Sequence, residues 1–121
     1  MYLKEALKEL DNVQIDNSLI SEIETLYKIE LSDELKKIIS LIKEGVFYDD
    51  MDLLRGLDSD EIQNASNDLD VDFLELNLLP LFDTGDNDFI VYNLEKKCWF
   101  KFNIVEAVEF NEASDLLEYI K

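Results

Sequence analysis

The 121-residue chain predicts an α+β fold: a mostly antiparallel sheet ending in a C-terminal meander, packed with N-terminal helices and a closing C-terminal helix. Three observations predict it. Residues 78–110 read LLPLFDTGDNDFIVYNLEKKCWFKFNIVEAVEF, short runs rich in Phe, Ile, Val, Tyr and Trp, residues that suit a pleated, half-buried surface. The runs are separated by the turn formers Thr84-Gly85-Asp86-Asn87 and the polar gap Glu95-Lys96-Lys97. Upstream, apolar residues recur mainly at helical spacing. The length suits one domain, 1–121, and a chain of this size buries enough surface to fold without disulfides or a structural metal.

Leu3, Ala6, Leu7 and Leu10 make a short amphipathic helix over 2–10, ended by Asp11-Asn12. Asp16-Asn17-Ser18 form a loop and cap before a helix over 19–28, with Ile23, Leu26 and Tyr27 on its apolar stripe. Ser32 caps a third helix, with Asp33 and Glu34 in its first turn, Leu35, Ile38, Ile39 and Ile42 inward, and Gly45 as its terminating glycine. Val46-Phe47-Tyr48 reads as a strand or ordered loop, and Leu53 to Leu57 as a short strand or turn. Ser59 caps a helix over 60–67. Leu69, Val71 and Phe73 alternate with Asp68, Asp70 and Asp72, which favours a strand. The meander strands are placed at 78–82, 88–94, 98–104 and 105–110, the first an edge or late-starting strand because it holds Pro80. A helix from Asn111 or Glu112, with Leu116, Leu117 and Ile120 inward, closes the chain.

The net charge of −18 is the unusual quantity. It repels nucleic acid and anionic membrane surfaces and attracts cationic partners. The acidity is concentrated: residues 44–88 hold 14 acids and one base, Arg55, whereas the remainder holds 15 acids and 10 bases. Polar loops account for part of this, since Asp and Asn favour turns, but solubility alone does not require concentration. A binding surface for a basic partner does. The candidate contacts are Asp49, Asp50, Asp52, Asp58, Asp60, Glu61, Asp83, Asp86 and Asp88, with Tyr48 as an aromatic anchor.

Chemistry-bearing motifs are absent. The chain has no histidine, which excludes His-based triads and His metal ligands. Cys98, the single cysteine, reads as a small core residue. Asp68-x-Asp70-x-Asp72 starts like a calcium loop, but Phe73 stands where glycine is required and Leu79 where glutamate is required. No phosphate-binding glycine loop or nucleophile elbow is present. No catalytic residue, metal or cofactor is expected; residues 1–10 carry glutamates and no long apolar core, so no secretory leader and a cytoplasmic protein are expected.

The stretch Ile20-Ser21-Glu22-Ile23-Glu24-Thr25-Leu26, the Ile29-Glu30-Leu31 link, the helix start Ser32-Asp33-Glu34-Leu35-Lys36-Lys37-Ile38-Ile39 and, much later, Gly85-Asp86-Asn87-Asp88-Phe89-Ile90-Val91-Tyr92-Asn93-Leu94 follow one another in order. Together they resemble the SUKH superfamily, which holds the fungal Smi/Knr cell-wall regulators and many bacterial immunity proteins. The resemblance spans about residues 19–120. Ser32 stands where the family has proline, only Gly45 remains of a glycine pair, and Gly85 lacks the glycines often beside it. The resemblance implies an α+β fold without catalysis. For a small bacterial-type member it implies an immunity protein whose partner is a cognate toxin domain, in many cases a nuclease. Alternatives are a regulatory or scaffold domain and an acidic mimic of nucleic acid.

Overall fold

The computed structural model describes residues 2–43, 45–49 and 52–119. Among them the elements are α1 (Leu3–Lys8), α2 (Asn17–Tyr27), α3 (Asp33–Ile42), β1 (Val46–Asp49), β2 (Asp52–Gly56), α4 (Ser59–Asp68), α5 (Phe73–Leu76), β3 (Leu78–Asp83), β4 (Asp88–Asn93), β5 (Cys98–Asn103) and β6 (Val108–Ala113), with 3-10 turns at Leu10–Asn12 and Leu116–Tyr119. The six strands form one antiparallel sheet whose spatial order is the chain order. This is the predicted α+β fold with its C-terminal meander, extended at one side by the β1–β2 hairpin.

Helices pack on both faces of the sheet. Directly paired residues share a face and successive ones alternate, so the register sets Gly56, Phe82, Ile90, Tyr92 and Trp99 on one face. There α3 lies: Leu35 and Ile38 line a cleft with Tyr92 and Trp99, and the Ile42 carbonyl abuts Gly56. The other face carries Phe89, Val91 and Phe102. Phe73 of α5 tilts against Phe102 with ring centroids 5.7 Å apart, and Ala65 of α4 and Leu69, its C-cap, line a small cavity with Phe89. Helix α2 contacts both α3 and α4. Its Tyr27 hydroxyl donates to the Leu78 carbonyl at 2.7 Å, and Glu22 accepts from Ser59 and Gln63 of α4.

Several local expectations hold. Asp16 and Ser32 accept from the Leu19 and Leu35 amides as N-caps, and Leu35, Ile38, Ile39 and Ile42 are buried. Others need correction. Asp58, not Ser59, caps α4, through a reciprocal capping box with Glu61. Gly45 is not a left-handed helix terminator; among the described glycines only Gly85 has positive φ. Its role is steric, since a Cβ there would lie 2.6 Å from the Phe47 ring. The stretch expected as a strand, 68–73, is the end of α4, a left-handed Asp70 and the start of α5, which Asp72 caps through the Glu75 amide. Alternation correctly reported that Val71 and Phe73 are buried, but not the backbone that buries them.

Pro80 lies inside the sheet rather than in an edge strand. β2 pairs with β3 only at Asp83 and Phe82, so the half of β3 that bears Pro80 has no strand paired to it on that side, and a bulge follows at Pro80/Phe82. The strand expected at 105–110 is Val108–Ala113, because residues 104–107 form a turn with Ala107 at φ 55°. No glycine marks that turn. It is held by Asn103, whose Oδ1 accepts from the Val105 and Glu106 amides at 3.0 and 2.9 Å. Among the described residues a 3-10 turn, Leu116–Tyr119, stands where the closing helix was expected; Leu116 is buried as expected, Leu117 is exposed, and Ile120 lies outside the described residues.

Candidate protein-binding surface

Antiparallel order fixes which turns lie together. Arg55 pairs with Asp83, so the start of β2 points the same way as the end of β3. Asp88 pairs with Asn103, so the β3–β4 turn and the β5–β6 turn also share that end. The Ile104 amide donates to the Asn87 carbonyl at 3.0 Å and ties those two turns together. Positions 49 and 52, which face each other at the tip of the β1–β2 hairpin, complete the group. Three hairpin ends therefore bring sequence-distant acids to one end of the sheet: Asp83, Asp86 and Asp88, Glu106, and the backbone positions of Asp49 and Asp52. Asp50 lies outside the described residues.

The ten candidate contacts divide by what each already does. Asp58 accepts from the Glu61 amide at 2.8 Å, and Glu61 Oε1 accepts from the Asp58 amide at 3.3 Å. Glu61 also pairs with Arg55 at 2.7 Å. The Arg55 guanidinium reaches Asp83 at 3.3 Å, and Asp83 Oδ1 accepts from the Gly85 amide at 2.8 Å, shaping the turn. Asp88 Oδ1 accepts from Asn103 Nδ2 at 2.8 Å. Asp60 and Asp86 are exposed. Tyr48 is 46% exposed, and its ring centroid is 5.9 Å from that of Tyr2.

Arg55 is the sole base of the acidic segment 44–88. Glu61 first, then Asp83, hold its guanidinium charged and raise its pKa further, against the opposing effect of burial. Its charge is thus engaged by two carboxylates, and the segment presents a net negative surface. Asp86 and Asp88 also line a cleft of about 190 Å³ with Leu54, Thr84, Ile90, Lys101 and Tyr119. Lys101 sits 5.6 Å over the Tyr119 ring. Burial beside Glu118 pushes the Tyr119 hydroxyl up to about 12.

Sequence reasoning missed Glu106, because the turn that presents it carries no glycine. The signal was Asn103 followed by polar Glu106, matching the earlier hairpin in which Asn93 Oδ1 accepts from the Glu95 and Lys96 amides. Among the described residues no group of three or more Asp, Glu or Cys converges as a metal site, and no helix is long and apolar enough to cross a membrane. Comparison with protein-family models, curated proteins and solved structures finds no match.

Proposed function

We propose that this chain is a non-catalytic, immunity-type binding protein that neutralises a cognate toxin domain in the cytoplasm by covering its basic surface. One observation carries the reading: three hairpin ends gather acids from separate parts of the chain at one end of the sheet, while the only base of the acidic segment is engaged by Glu61 and Asp83. A nuclease toxin suits such a blocker, because a surface that holds a polyanion is basic. The resemblance to SUKH immunity proteins supports the same partner class. The side-chain hydrogen bonds that tie the turns at 83–88 and 103–106 add to the case, since acids on tied turns cost less entropy to dock.

The test is affinity capture from the native organism's lysate at low and high salt, followed by assay of the purified partner's toxicity or nuclease activity. The expected result is one dominant partner that is inhibited at equimolar ratio, with an association rate that falls as salt rises. Replacing Asp49, Asp50 and Asp52 by Asn is expected to slow association by about 3- to 10-fold, a fraction of the 10- to 1,000-fold range of electrostatic steering. Retention of several unrelated DNA-binding proteins would instead indicate a nucleic-acid mimic. A single partner with no inhibitable activity would indicate a regulatory domain.

A further inference from the structure

The outward face of the β1–β2 hairpin departs from the usual half-polar pattern. Phe47 and Leu54 face each other and are buried at 5% each. The alternate positions point away from the core, and an antiparallel hairpin on the surface ordinarily places polar residues there. Here they are Val46, Tyr48 and Leu53, which remain 51%, 46% and 52% exposed, with Arg55 opposite Val46. Tyr2 extends the patch past β1. It forms a parallel bridge to Tyr48 and is 57% exposed. Single exposed apolar residues are ordinary, but four that adjoin on one face form a patch of the kind found at interaction sites.

We infer that the outward face of this hairpin, formed by Tyr2, Val46, Tyr48 and Leu53, is the apolar centre of a docking surface for a protein whose own apolar patch is ringed by Lys and Arg. The inference rests on the acidic-blocker reading and locates its contact. Charge complementarity selects the occupant. The patch adjoins the hairpin end with positions 49 and 52, and along its inner side runs the Glu61–Arg55–Asp83 cluster, one positive charge between two negative ones. A second copy would set acid against acid in a chain of net charge −18. An anionic membrane would be repelled for the same reason. The division of labour follows: the acids accelerate encounter, while Tyr48 and Leu53 set the lifetime of the complex, as desolvated aromatic and aliphatic anchors do.

The experiment uses the full chain, labelled for amide NMR, and two synthetic peptides of equal positive charge. One alternates lysine with leucine and tryptophan; the other replaces the apolar residues by serine. The alternating peptide is expected to bind at least 10-fold more tightly and to shift the amides of Tyr2, 46–48 and 53–55. Tyr48→Ser with Leu53→Ser is expected to abolish that difference while leaving the serine peptide's affinity within 2-fold. Tyr48→Phe is expected to keep it. Urea unfolding of each variant verifies that the fold persists. If both peptides bind equally and shift only the amides of 84–88, the hairpin face is overturned and the basic-partner reading stands. If neither peptide binds, both fall. A concentration-dependent dimer that Tyr48→Ser dissociates would give the face to a second copy and overturn the proposal.

Discussion

Replacing Gly56 by alanine adds a single methyl group and is expected to be among the most damaging changes in the chain. A Cβ built on Gly56 falls 1.8 Å from the Ile42 carbonyl oxygen, 2.7 Å from its carbon and 3.1 Å from its Cβ. Ordinary contact begins at 3.4 Å, so the end of α3 would have to retreat by about 1.6 Å. Neither side can give way cheaply. Gly56 pairs with Phe82, its amide donates to the Gly45 carbonyl at 2.8 Å, and the next amide, of Leu57, donates to Leu81 at 2.9 Å. Ile42 is itself fully buried. Overpacking ordinarily costs about 1–3 kcal/mol. A backbone-on-backbone clash that also loosens one or two hydrogen bonds, each about 0.5–1.5 kcal/mol, brings the expected loss to about 3–5 kcal/mol. That is a large part of the roughly 5–15 kcal/mol by which domains are stable.

Gly45→Ala provides the comparison. Its Cβ would meet the far end of the Phe47 ring at 2.6 and 2.7 Å and the Ile42 carbonyl oxygen only at 3.3 Å, so the closest clash is with a side chain rather than backbone, and the expected loss is about 1–2 kcal/mol. Urea unfolding followed by Trp99 fluorescence measures both, since Trp99 is buried. With a slope of about 1.5 kcal/mol per molar, Gly56→Ala should lower the midpoint by about 2–3 M. A loss under about 1 kcal/mol for Gly56→Ala, or a larger loss for Gly45→Ala, would refute the assignment of Gly56 as the point where α3 touches the sheet.

Asp58→Ala removes the side chain that caps α4 and is expected to cost about 1 kcal/mol, with Asp58→Asn costing less because asparagine also caps; thermal unfolding separates the two. The Tyr27 hydroxyl is buried against the Leu78 carbonyl, and burial raises its pKa well above the ordinary tyrosine value. Its unfolded form ionises first, so its contribution is complete below about pH 10 and is lost as pH rises beyond that. Tyr27→Phe should flatten the alkaline limb of a stability–pH curve, and an unchanged limb would remove Tyr27 as its cause. Burial, then the hydrogen bond to Glu112, push the Cys98 thiol up, so alkylation at pH 8 should be slow in the folded protein and fast in urea; equal rates would contradict its placement on β5.

The hydrophobic pattern alone determined most of the elements, because local periodicity and turn chemistry act over a few residues. The α3 stripe, its Ser32 cap, the Gly85 turn and the β-rich C-terminal half are all of this kind. The pattern misled where burial and backbone part company. Val71 and Phe73 alternate inward although one precedes and the other begins a helix, and the turn at 104–107 depends on an asparagine side chain rather than a glycine. The acid excess of 44–88 was likewise legible as composition, but not its arrangement. Only the antiparallel order of the strands brings the ends of β1–β2, β3–β4 and β5–β6 together, and only the register decides that Leu54 is buried while Leu53 faces out. Two adjacent leucines are equivalent in a sequence. In a strand they are opposites, because successive side chains point to opposite faces and the core lies on one of them.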